Sequence, residues 1–164
     1  MAILVVPFDN TEWISGVGEN FRLDNWRKLL GNITPGIEHK QKLMVQLMPE
    51  PSNPFDKKAI ALHVNGIHLG YLSGGDAAHY GNAIKKVYAN GDTLVAYGSI
   101  WAVRRGRELK ANVAVNLPEK LRISELIDAE DAPDQPTPSA ASKVSNEISV
   151  PKIPSAKLEW TITI

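Results

Sequence analysis

Few residues in this chain could do chemistry. There is no cysteine, which removes thiolate nucleophiles, thiolate metal sites and disulfides at once. Acid–base or metal chemistry would fall to His39, His63, His68 and His79, with Asp56 and Asp76. None of these has a recognised ligand spacing, and His63 and His68 are expected on separate strands of one hairpin, where a histidine is usually a surface or satisfied core group. No Walker loop, nucleophile elbow or helicase motif occurs. Gly74-Gly75 lacks the lysine of a phosphate loop and reads as a connector. The expectation is a non-enzyme with no cofactor and no metal site; an accessory domain or weak metal-dependent hydrolase is the lowest-ranked alternative.

Binding chemistry is better represented. Asn53-Pro54-Phe55-Asp56 combines a turn-forming amide, an aromatic and a carboxylate, and Lys57-Lys58 follow at once. Taken alone, this is a turn in which Asn53 and Asp56 bond the backbone and Phe55 packs in the core. Phe21 and Trp101, taken singly, are also core residues, because large aromatics supply much of a small core. Arg104, Arg105, Arg107 and Lys110 straddle a hairpin tip, where a solvated basic turn is the default and a phosphate clamp the alternative. The formal charge of zero hides an asymmetry: residues 1–123 carry fifteen Lys and Arg against eleven Asp and Glu, and residues 124–164 three against seven. A mildly basic body tolerates a phosphate backbone without demanding one.

The elements that must position these groups are mostly strands. Residues 13–17 are apolar and β-branched and run into the Gly16-Val17-Gly18 turn; Asp24 can cap a short helix over 25–30. Leu43, Val45 and Leu47 alternate, a Pro-bounded loop spans 49–54, and strand character resumes over 59–64. Asn65-Gly66 before 67–72 is the strongest two-residue hairpin signal. Tyr80, Ala83, Ile84, Val87 and Tyr88 have helical spacing, ending at Asn90-Gly91. Residues 93–103 and 109–115 make two more strands about the Arg105-Gly106-Arg107 turn, and 118–127 reads equally as helix or strand. The fold class is mainly β with one or two helices (α+β), a small barrel of OB or SH3 type.

Residues 48–72, MPEPSNPFDKKAIALHVNGIHLGYL, resemble the HIRAN family. The shared features are an acid and Pro loop with Glu50, then Asn53, Pro54, Phe55 and Asp56, then Ala59, Ile60 and Val64, and a hairpin closing on Gly70, Tyr71 and Leu72. Upstream, Val17-Gly18-Glu19-Asn20-Phe21 looks like the family's first motif, and the resemblance spans about residues 12–115. It implies a small barrel that recognises single-stranded DNA with a free 3′-hydroxyl end, in DNA repair or processing. Asp56 and the loop backbone would hold the terminal hydroxyl. A carboxylate accepts from a hydroxyl and repels a phosphate. Lys57 and Lys58 would track the backbone, and Phe21 and Phe55, with Tyr71 and Trp101, would stack bases at about 1–3 kcal/mol each. The chain departs from the family at Phe55, where some members offer Tyr, and at Asn20, where a cation precedes the first aromatic.

Domain boundaries follow composition: a barrel over 1–123, an acidic Pro- and Ser-rich linker over 124–157, and a strand-like segment over 158–164. Residues 129–145 cannot bury enough surface to offset their ordering entropy. Leu158, Trp160, Ile162 and Ile164 would share one strand face and pair with the barrel or a second copy, which supports an alternative reading as a protein-interaction adaptor. No stretch approaches the roughly 18 apolar residues of a membrane helix. With no cysteine and no signal peptide at the N-terminus, a cytoplasmic protein without a membrane partner is expected.

Overall fold

The computed structural model describes residues 1–9 and 13–132. The terminal stripe of Leu158, Trp160, Ile162 and Ile164, and all of the linker beyond residue 132, lie outside the described residues. In chain order the elements are β1 (Ile3–Val6), β2 (Trp13–Ser15), a 3₁₀ turn (Glu19–Phe21), α1 (Leu23–Leu30), β3 (His39–Pro49), β4 (Ile60–Val64), β5 (Ile67–Tyr71), α2 (Gly74–Ala89), β6 (Thr93–Arg105), β7 (Glu108–Asn116) and, after a second 3₁₀ turn (Ile123–Glu125), β8 (Ile127–Asp128).

The alternation in β3 decides which way the sheet faces: Leu43, Val45 and Leu47 are buried, while Lys40 and Lys42 are exposed. One edge of β3 pairs antiparallel with β6, and its far end pairs with β4. Strand β6 is long enough to take two partners on its other edge, β1 in parallel over Thr93 to Ala96 and β7 antiparallel from Gly98 onward. Gly98 stands at that change of partner. A Cβ there would run into the Val45 side chain and come within 2.8 Å of the Ala114 carbonyl, so only glycine permits the approach.

The strand order β2-β7-β6-β3-β4-β5 returns on itself. Beyond β2, the Gly16 N–H donates to the Val113 carbonyl (2.7 Å), and Val17 exchanges both backbone bonds with Tyr71 of β5 (2.8 and 2.9 Å). This single bridge joins the two ends of the curled sheet, and the expected small α+β barrel results. The β4–β5 hairpin turns at Asn65-Gly66, both with positive φ (53° and 78°), as the hairpin signal demands.

The main apolar cluster includes Leu47, Ile60, Leu62, Leu69, Leu94 and Ile100, with Ile84 from α2 and Trp26 from α1, and a smaller cluster groups Val5, Val95 and Tyr97. Each such side chain contributes roughly 1.5–3 kcal/mol on burial. Trp26 also donates its indole N–H to the Leu69 carbonyl (3.0 Å), pinning α1 to β5.

Several local expectations are corrected. Asp24 does not cap α1; the helix begins at Leu23, and Asp24 pairs instead with Arg27 (3.1 Å), one turn on. Gly74-Gly75 opens α2 rather than connecting to it, because the Ser73 hydroxyl caps the helix by accepting from the Asp76 N–H. The 118–127 segment forms neither a full helix nor a long strand. Residues 3–6, unassigned by periodicity, form the strand β1, and β8 pairs with it beyond residue 123.

Candidate nucleic-acid interface

Barrel closure places two sequence-distant segments side by side. The Val17–Tyr71 bridge holds the 3₁₀ turn (Glu19–Phe21) against the end of β5. The turn is anchored from below by Glu19, whose buried carboxylate accepts from the Asn112 amide (2.9 Å) and the Val113 N–H (3.0 Å). With Glu19 held inward, the next residues point outward: Asn20 is exposed, and Phe21 is 82% exposed.

The second segment is the loop between β3 and β4. Its backbone is closed by Glu50 N–H to Ala59 O (2.9 Å), Asn53 N–H to Glu50 O (3.0 Å) and Ala59 N–H to Asp56 O (3.1 Å). The Asn53 side-chain oxygen accepts from the Phe55 and Asp56 N–H groups (2.8 and 3.1 Å), and Asp56 Oδ1 accepts from the Lys58 N–H (2.9 Å). Asn53 and Asp56 are thus turn-forming residues, as their types suggest. Phe55 is not in the core: it is 96% exposed at the tip of a self-bonded loop.

Between the segments lies a groove of about 540 Å³ lined by Arg22, Tyr71 and the loop from Pro49 to Phe55. Tyr71 ties the two walls together. Its hydroxyl donates to Glu50 Oε1 (2.9 Å) and accepts from Arg22 Nη2 (3.3 Å), and the Asn53 amide donates to the same carboxylate oxygen (3.0 Å). The Arg22 guanidinium also lies 5.7 Å from the centre of the Tyr71 ring, within cation–π range. Burial, and the bond to the Glu50 carboxylate, push the Tyr71 hydroxyl above the ordinary phenol range, so it remains a donor at neutral pH.

Behind this wall, His63 and His68 face each other across the β4–β5 pair. Their rings stack at 4.9 Å between centres and 5° between planes, and His68 meets the Tyr71 ring edge-on at 4.6 Å. Burial holds both imidazoles below their usual pKa, and Arg22 adds to the effect at each. Their being on separate strands, which counted against a joint role, is what sets them opposite each other.

No family model, curated protein or solved structure matches the chain. The resemblance to HIRAN domains therefore rests on the sequence motifs alone. Of the residues it singles out, the structure brings Asn53, Phe55 and Tyr71 to the groove. Asn20 and Phe21 sit on the adjoining turn, and Asp56, Lys57 and Lys58 are exposed just past the loop tip. Trp101 is half-buried on β6, opposite Lys40 and Asn112, and does not line the groove. The basic hairpin tip at Arg105 and Arg107 is exposed and also lies outside the lining. Sequence reasoning missed Arg22, the groove's cation, and the role of Glu50 as the acceptor that orders the loop. The available signal for Arg22 was its position directly after Phe21, within the first motif's reach.

Among the described residues, no helix is long and apolar enough to cross a membrane.

Proposed function

We propose that the barrel is a non-catalytic module that binds the 3′-hydroxyl end of single-stranded DNA along the groove between Arg22, Tyr71 and the 53–56 loop. The observation that carries this reading is the pair of aromatic side chains, Phe21 and Phe55, held almost fully exposed on well-bonded turns beside a groove with a cation in its wall. Exposed aromatic rings beside a groove are available to a partner, and bases stack on such rings without regard to sequence. Arg22 supplies charge for a phosphate, and Lys57 and Lys58 extend it past the loop. Asp56 accepts the terminal hydroxyl through its remaining acceptor capacity and repels a phosphate at the same place.

The reading is tested by competition for a labelled linear single strand. Unlabelled linear DNA of the same sequence should compete well, and a covalently closed circle of equal length, having no end, should compete poorly. Equal competition by both would leave a groove for internal single strand and remove the end from the proposal.

A further inference from the structure

Glu50, His63 and His68 place one potential ligand atom each within 4.8 Å of one another. A second observation concerns which ring nitrogens are free. His68 Nε2 lies 2.9 Å from the Gly70 carbonyl, which fixes the proton on Nε2 and leaves a lone pair on Nδ1. His63 Nε2 is buried and without a hydrogen-bond partner. With the ring proton on Nδ1, the lone pair of Nε2 is unused. Each imidazole offers one bare nitrogen, and His68 has its other nitrogen anchored to a backbone carbonyl, as metal-binding histidines do. The carboxylate is oriented in the same way, since Glu50 Oε1 receives the Tyr71 hydroxyl and the Asn53 amide.

We propose that Glu50, His63 and His68 bind one divalent transition-metal ion of the zinc class. Two imidazoles and a carboxylate, without a thiolate, suit this class better than calcium or magnesium, which favour all-oxygen shells. Three protein ligands leave a fourth position open. Ligand atoms of a tetrahedral zinc ion lie roughly 3.3 Å apart and each imidazole lone pair lies in its ring plane, so the two parallel rings must rotate out of their stack as well as close in on binding. Arg22 opposes a cation, and the Glu50 carboxylate offsets it. The site goes beyond the end-binding reading and needs no DNA.

The test uses the full chain, stripped by a chelator and titrated with zinc alone. Calorimetry should show saturable binding of one ion. In long-range proton–nitrogen spectra of the unaltered chain, zinc should shift His63 Nε2 and His68 Nδ1 and leave the ring nitrogens of His39 and His79 in place. His63→Gln, His68→Gln and Glu50→Gln should each weaken binding at least tenfold, whereas His39→Ala and His79→Ala should not. Absence of one-to-one binding, or shifts at His39 or His79 in place of the hairpin pair, would overturn the site. The spectra of the unaltered chain decide the matter even where a substitution unfolds it, and because no strand is present the outcome is separate from that of end binding.

Discussion

At the scale of single residues, Phe55 and Tyr71 divide the labour of the groove differently. Phe55 touches little of its own chain, so Phe55→Ala should change stability by no more than about 0.5 kcal/mol. If the ring is a stacking platform, the same change should weaken single-strand binding by roughly 5- to 150-fold. Urea denaturation and fluorescence anisotropy on one variant separate the two quantities. Tyr71→Phe is expected to act the other way round. It keeps the ring but removes the hydroxyl shared by Glu50, Arg22 and Asn53, at about 1–2 kcal/mol of stability, and it loosens the 53–56 loop. A denaturation midpoint unchanged from the parent would show that the hydroxyl does not brace the groove. The Asn53 and Asp56 turn roles were legible because those side chains act on backbone within three residues. The Arg22–Tyr71–Glu50 contacts were not, since Arg22 lies 49 positions from Tyr71 and reaches it only through barrel closure, while Glu50 reaches it across the β3–β4–β5 pairing.

At the scale of elements, the strands were legible wherever period-two alternation or a two-residue turn marked them, as in β3 and the β4–β5 hairpin. The short apolar run of β1 carries no period, and its parallel partner β6 begins some ninety residues later, so nothing local announces the pairing. Closure itself depends on Gly70, where an added Cβ would meet the Val17 carbonyl at 2.9 Å and the Glu19 side chain at 3.3 Å. Gly70→Ala should cost about 1–3 kcal/mol by forcing the Val17–Tyr71 bridge apart, and it should lower strand binding as Tyr71 shifts. Thermal unfolding at the parent's midpoint would contradict this. The α2 helix offers a pH test. Burial raises the pKa of Tyr88, whose hydroxyl donates to the Leu47 carbonyl (2.6 Å) and accepts from the Leu94 N–H (3.3 Å). With the folded pKa above the unfolded value of about 10, the folded state keeps the proton longer. The associated stability is complete below pH 10 and is lost as pH rises from there through the folded pKa. Tyr88→Phe should therefore be less stable by about 1–2 kcal/mol at neutral pH and show a shallower alkaline decline. An unchanged alkaline slope in guanidinium titrations would remove Tyr88 as its source.

At the scale of the whole molecule, the proposed strand binding carries a definite salt dependence. With Arg22, Lys57 and Lys58 beside the groove, a bound strand would have about three phosphates neutralised, each contributing about 0.7 to the slope of log affinity against log salt. The predicted slope is about −2, and salt-independent binding would exclude a backbone-tracking groove. The most direct measurement is the affinity for one labelled oligonucleotide prepared with a 3′-hydroxyl and with a 3′-phosphate, with the label at the 5′ end. Binding should be tighter to the hydroxyl form, and Asp56→Ala should shrink that preference more than it lowers total affinity. Equal affinity for the two ends would contradict the account.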